Sequence, residues 1–423
     1  MAGLIGLRMR QVWNLTKRHG LWGTLSMVRR RLAQGPGSLK SRNVFMHYDF
    51  VRVATVELAA EKARAGTLLW FIPDFNIGSG GHQTIFRTIM HLERMGWESN
   101  IVIVSPTNHA TAELARQDIC EYFFPLKAKV FMGFKGLPNS EFVIATGWQT
   151  AYPVRAIAGD VKKLYFVQDF EPSFYPMGTE SVLADNTYRF GFYGITAGGW
   201  LANKLKTEYG MQTHPISFGV DHDCYRERPR REQEIKRVFF YARPPTPRRA
   251  FEFGLLVLEA VSRRLPDTQF ILAGWDVSDY LIPFPHLSAG VVSPEELADA
   301  FSQCDAALIL SLTNLSLMPL ELMASGCAVV SNRGDCVEWL LNDDVALLTE
   351  PTLEALTDAL CNLLQDDAAR QAQCQRAMAF ARQQHWEASA ESFAQGLLAA
   401  RQALTPAHGH AAHQEPVNAA VSV

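Results

Sequence analysis

No apolar run in the 423-residue chain reaches the length of a membrane span, and the apolar stretches near its start are broken by Arg or Lys every few residues, unlike a secretory leader. The seven cysteines, at 120, 224, 304, 327, 336, 361 and 374, are odd in number and include no C-x-x-C pair. That excludes a disulfide framework or zinc ribbon and suits thiols buried in apolar segments in a reducing cytoplasm. There is no heptad run, no internal repeat and no spacing that reads as a metal-ligand set. A net charge of −3 excludes a general nucleic-acid binder, and Gly-Lys-Ser/Thr and G-x-G-x-x-G are both missing. What is present is a chain 48% hydrophobic and 20% charged, long enough for two or three domains.

One absence is local. Residues 1–48 contain no Asp or Glu yet carry Arg8, Arg10, Lys17, Arg18, Arg29, Arg30, Arg31, Lys40 and Arg42 among Leu4, Leu7, Trp13, Trp22 and Leu25. This basic amphipathic segment is expected to lie on an anionic membrane surface; the alternative is a helix packed on the protein body. Residues 406–423, rich in Ala, His, Pro and Gln, read as a disordered tail.

From Thr67 onward, short apolar runs alternate with helical patterns, the signature of parallel sheets flanked by helices. Strands are expected at 67–73, 100–105, 141–146, 163–167 and 192–197, then at 237–242, 269–274, 305–310 and 327–331. The fold class is therefore α/β, with two Rossmann-like domains facing a central cleft. The boundaries read as 49–225 and 237–384, joined by a charged linker at 226–236. A helix at 385–405 is long enough to return to the first domain.

In such folds ligands bind beyond the carboxyl ends of the strands, so the loops there carry the chemistry. After the first strand, Asp74-Phe-Asn-Ile-Gly-Ser-Gly-Gly-His82 opens a helix; Gly80 and Gly81 allow close backbone approach, and His82 is a candidate for gripping a sugar or for capping the helix. Gln168-Asp-Phe-Glu-Pro carries two carboxylates among aromatics, a combination suited to sugars. Asp169 or Glu171 could act as general base on a hydroxyl, and which one faces the cleft is open. In the second half, Arg243 and Arg248 flank a proline-stiffened turn and could clamp a diphosphate. Gly274 closes another strand beside Trp275. Thr313, Asn314 and Ser316 lead into the helix of Pro319-Leu-Glu, whose Glu321 lies in the first turn and could accept ribose hydroxyls, or merely complement the helix dipole.

Together, Ile72-Pro-Asp-Phe-Asn with Gly-Gly-His, Gln168-Asp-Phe-Glu-Pro, Tyr241-Ala-Arg-Pro and Pro319-Leu-Glu resemble bacterial GT-B glycosyltransferases of the group 1, family 4 type. The likeness extends to rhamnosyltransferases of rhamnan, O-antigen and S-layer glycans. It implies a hexosyltransferase moving a sugar, L-rhamnose from dTDP-L-rhamnose, to a hydroxyl of a lipid-linked surface glycan at the inner face of the cytoplasmic membrane, without cofactor or metal. It also implies donor-diphosphate roles for Arg243 and Arg248, and makes Glu321 the second Glu of a pair whose first position is here Thr313. Retention of configuration is implied, and inversion with Asp169 as base stays open. The alternatives are a non-catalytic glycan-assembly subunit and a nucleotide-sugar epimerase.

Overall fold

A computed structural model describes residues 43–231 and 235–405. Thus 1–42 of the basic segment and the 406–423 tail lie outside the described residues.

Two wholly parallel sheets form the frame. The first has seven strands, β1 (Thr67–Pro73), β2 (Glu98–Val104), β3 (Lys129–Met132), β4 (Phe142–Ala145), β5 (Lys162–Val167), β6 (Tyr193–Ala197) and β7 (Thr213–Ile216), in the order β3-β2-β1-β4-β5-β6-β7. The second has six, β8 (Arg237–Tyr241), β9 (Gln269–Ala273), β10 (His286–Gly290), β11 (Ala306–Ile309), β12 (Ala328–Asn332) and β13 (Leu347–Thr349), in the order β10-β9-β8-β11-β12-β13. Continuous apolar runs form the central strands because helices cover both faces. In β1, Leu68, Trp70 and Ile72 enter one core layer while Leu69 and Phe71 enter the opposite one, as alternation along a strand requires.

Each sheet reverses its strand order once, between β1 and β4 and between β8 and β11. These switch points open a crevice at the carboxyl ends of the strands, where the loops are free of the sheet's own covering helices. The loops after β8 and β11 are tied together there, with Leu312 donating its N–H to the Arg248 carbonyl at 3.0 Å.

Helix α1 (Val44–His47) precedes the first sheet. Around that sheet lie α2 (Gly80–Arg94), α3 (Ala112–Tyr122), α4 (Trp148–Arg155), α5 (Thr179–Thr187) and α6 (Gly199–Tyr209). Around the second are α7 (Phe251–Arg264), α8 (Pro294–Ser302), α9 (Met318–Ala324), α10 (Asp335–Glu338), α11 (Leu353–Gln365) and α12 (Asp367–Ala381). Helix α9 stops in a Schellman motif: Gly326, at φ +80°, lets its own N–H reach the Met323 carbonyl and the Cys327 N–H reach that of Leu322.

The chain crosses between domains twice. The first crossing, 217–226, runs beside the second, 381–386, with Val220 N–H bonded to the Gln384 carbonyl at 3.0 Å. The contact is so close that a Cβ at Gly219 would stand 2.4 Å from the Trp386 backbone nitrogen. Residues 226–231, expected as linker, pack on the second domain: Arg230 pairs with Asp305 at 2.8 Å, and Arg228 reaches the Glu295 carbonyl. Helix α13 (Trp386–Ala403) then lies on the first sheet, where Phe393 meets Trp70 and Phe166 at ring distances of 5.5 and 5.2 Å and Arg401 grips Glu141 through two nitrogens. Phe393→Ala is expected to cost about 3–5 kcal/mol, because the cavity would open between α13 and the sheet. A urea denaturation midpoint unchanged from wild type would show that α13 does not hold the first domain.

Candidate functional site at the interdomain cleft

Loops at the carboxyl ends of the two sheets meet across the cleft. After β5, Asp169 leaves its strand and turns its carboxylate towards the second domain. It accepts the Thr313 hydroxyl at 3.0 Å and the Asn314 backbone N–H at 2.8 Å, and Arg248 Nε lies 3.2 Å away. The Arg248 guanidinium also sits 3.8 Å from the centre of the Phe174 ring, so the aromatic loop of one domain covers the cation of the other. Asn314 Nδ2 donates to the carbonyls of Gln168 and Ala197, while its Oδ1 accepts from Leu315 N–H and Trp339 Nε1. Gly198 is what lets Trp339 approach, since a Cβ there would stand 2.6 Å from the indole.

Glu171 turns the other way. The chain enters a 3-10 turn at Glu171–Phe174, and the carboxylate is buried in the first domain, accepting Trp148 N–H at 2.7 Å and the Tyr165 hydroxyl at 2.8 Å. It therefore anchors the start of α4 and is not presented to the cleft. His82 is likewise committed: Nδ1 pairs with Ser79 Oγ at 2.8 Å and Nε2 with the Pro73 carbonyl at 3.0 Å. Burial pushes its pKa down to about 4, so it is a neutral brace for the first turn of α2, the capping alternative of the sequence reading. Gly80 and Gly81 begin α2, and the Gly81 carbonyl accepts Gln168 Nε2 at 3.2 Å, which brings this helix start to the Asp169 loop.

Among the cations, Arg243 donates to the Gly274 carbonyl at 3.2 Å and lies 5.8 Å from the Trp275 ring. Gly274, at φ +115°, leaves room for Tyr241, whose ring a Cβ would meet at 2.5 Å. Sequence reasoning missed Arg249. Its Nη1 bonds Ser311 Oγ and, at 3.0 Å, the Asn314 carbonyl, so it props the β11 loop from beneath. Burial pulls its pKa downward against the favourable field of Asp169. The left-handed backbone at Ala250, φ +48°, ends the turn that sets Arg248 and Arg249 on different neighbours, a feature that residue type does not announce. Arg248 and Arg249 thus face the carboxylate of Asp169, while Arg243 stands at the neighbouring strand end beside Gly274 and Trp275. Ser316 is partly buried beside this loop.

Glu321 has different company. The sequence reading gave it a ribose or helix-dipole role, and its charged neighbours are Arg87 of α2 and Asp221 of the first crossing, with the Tyr225 hydroxyl as hydrogen-bond partner. Burial raises its pKa to about 7, opposed by Arg87. Arg87, also missed, pairs with Asp221 at 3.3 Å and lies 5.0 Å from both the Phe124 and Trp386 rings. Asp221-His-Asp223 has the Asp-x-Asp form of a metal motif; Asp221 is nevertheless tied to Arg87, and no group of three His, Cys, Asp or Glu side chains among the described residues could hold a metal. Also among the described residues, no helix is long and apolar enough to cross a membrane.

Comparison with known proteins agrees with this architecture. Residues 131–196 match the WsaF N-terminal domain family and residues 236–361 the WsaF C-terminal domain family. The S. aureus TarM mutant solved with Fondaparinux, alpha-GlcNAc-glycerol and UDP superposes with a TM-score of 0.64 at 10% identity, over 79% of this chain and 99% of that one. Anabaena HepE in complex with UDP and glucose gives 0.61 at 16% identity, over 79% and 99%. The chain has the GT-B fold. As a GT-B chain it is also 31% identical over 356 residues to the O-antigen biosynthesis protein RfbC of Myxococcus xanthus, covering 80% of this chain but only 27% of that much longer relative.

The Glu171 carboxyl is held at about 7, mainly by burial, so the folded GT-B chain keeps a proton that the unfolded chain, near 4.5, has already lost. The stability it contributes is complete below the unfolded value and falls as pH rises towards 7. Glu171→Gln should therefore gain stability relative to wild type between about pH 5 and pH 8. Parallel pH profiles of the urea midpoints would contradict a buried, protonated Glu171.

Proposed function

We propose that this chain transfers a sugar from a nucleoside-diphosphate donor, held on the second domain, to an acceptor hydroxyl presented on the first. The observation that carries this reading is the pairing of Arg248 with Asp169 across the cleft, with Arg249 bracing the β11 loop and Arg243 at the adjoining strand end. A sugar nucleotide brings a diphosphate of about two negative charges, and Arg243, Arg248 and Arg249 less Asp169 leave a matching surplus. As the sugar–phosphate bond breaks, charge grows on the leaving diphosphate, which Arg243 and Arg248 are placed to neutralise. Asp169, the carboxylate that crosses the cleft, is the candidate to orient or deprotonate the acceptor. Glu321, near the crossing, is assigned to the ribose.

The donor is proposed to be dTDP-L-rhamnose and the acceptor a lipid-linked bacterial surface glycan. Support comes from the WsaF domain matches, the O-antigen role in the name of RfbC, and the absence of a carboxylate at Thr313. The basic amphipathic segment would hold the enzyme against the anionic membrane that carries such an acceptor.

Transfer is tested by product analysis with dTDP-L-rhamnose, UDP-glucose and GDP-mannose in parallel, using a membrane extract as acceptor source. Release of dTDP with rhamnosyl product is expected. Arg243→Ala and Arg248→Ala should each lower kcat/KM by about 10²–10³-fold, as expected for removing a charge-stabilising group. Asp169→Asn should lower kcat with little change in donor KM. Turnover with none of the sugar nucleotides would reject the enzyme reading in favour of a non-catalytic subunit, and conversion of the free sugar nucleotide to an epimer would favour an epimerase.

A further inference from the structure

We propose that a recess between the two interdomain crossings is a second anion site, taking a phosphate-bearing ligand. The first crossing brings His222, Tyr225, Arg226 and Glu227 to its wall, and the second brings Arg382 and His385. Together with α9 and α12 they enclose about 370 Å³. The recess is separate from the donor cleft, since it shares no residue with the Arg243–Arg248 loop or the Asp169 loop.

The lining is rich in donors. Arg226 and Arg382 are both exposed and form no ion pair among the described residues. The imidazoles of His222 and His385 stand 5.2 Å apart, and His222 Nε2 is anchored to the Gln384 carbonyl at 3.1 Å. Glu227 is the one carboxylate in the lining. Two unpaired guanidiniums against one carboxylate give the recess a positive surplus without any contribution from the imidazoles. Planar guanidiniums offer paired N–H groups matched to the oxygens of a phosphate, which makes an oxyanion the fitting occupant.

The position gives such a ligand a consequence. An occupant would touch both chain crossings at once, and these are the segments that bend if the domains move relative to one another. A ligand that fits only one arrangement of the crossings shifts the population towards it. Tyr225, in the recess wall, also bonds Glu321 on its other side, and so connects the site to the cleft.

The test uses the full chain and inorganic pyrophosphate, titrated by calorimetry at constant ionic strength with chloride. Because pyrophosphate can also enter the donor cleft, the protein tested is the Arg243→Ala/Arg248→Ala variant. Saturable binding to one site is expected there. Adding Arg226→Ala and Arg382→Ala should weaken it by about tenfold or more, the loss expected for charge-assisted hydrogen bonds. Arg226→Lys with Arg382→Lys should restore part of it. Absence of saturable binding in the cleft variant, or equal affinity after removal of Arg226 and Arg382, would overturn the proposal. Both arginines are exposed, and urea midpoints equal to wild type verify that the variants fold.

Discussion

Asn314 uses both amide hydrogens and both carbonyl lone pairs of its side chain, and two of those four bonds reach main-chain oxygens of the other domain. The constraint is severe because the group is buried: any rearrangement that withdraws Gln168 and Ala197 leaves polar atoms without partners, at a cost of about 1–3 kcal/mol each unless water replaces them. Asp169 repeats the arrangement from the opposite side, reaching across to the Thr313 hydroxyl and the Asn314 N–H. Beside the apolar seam of Ala197, Phe218 and Trp339, the two domains are thus registered by reciprocal polar contacts. Such contacts can be exchanged for water or ligand with little net change, which is what a cleft that must admit a substrate requires.

The surrounding residues follow from that registration. Phe174 can cover Arg248 only because Asp169 holds the loop against the second domain. Arg249 fixes the β11 loop so that Asn314 points outward, and Trp339 fills the surface left bare by Gly198. Arg87, Asp221, Glu321 and Tyr225 gather where both crossings pass, with Trp386 against the arginine. The cleft is therefore bounded by two polar clusters, one at the strand ends and one at the crossings.

Much of this was legible in the sequence because the central strands are unbroken apolar runs, and β1, β5, β6, β8 and β12 fall within a residue or two of their expected places. The strands that were missed, β3, β7, β10 and β13, are short and at or next to sheet edges. β3 and β10 have few buried residues, and β7 contains Pro215, tolerated because an edge strand need not donate on both sides. In the site, residue types announced Arg243, Arg248 and Asp169, which end strands at the switch points. They could not announce direction. Asp169 and Glu171 are two apart and would share a face on a continuing strand, but the 3-10 turn sends Glu171 into the core. His82 looked available until Ser79 and Pro73 supplied partners for both ring nitrogens. Arg87 sits in an ordinary amphipathic helix, and only tertiary contact distinguishes it from any surface arginine.

The arginines after β8 are assigned to a nucleoside diphosphate. Calorimetric titration of the full chain with dTDP, with thymidine alone as reference, tests this most directly. dTDP is expected to bind, thymidine to bind far more weakly, and the difference to shrink sharply in Arg248→Ala. Equal binding of dTDP and thymidine, or a difference that Arg248→Ala leaves untouched, would contradict it.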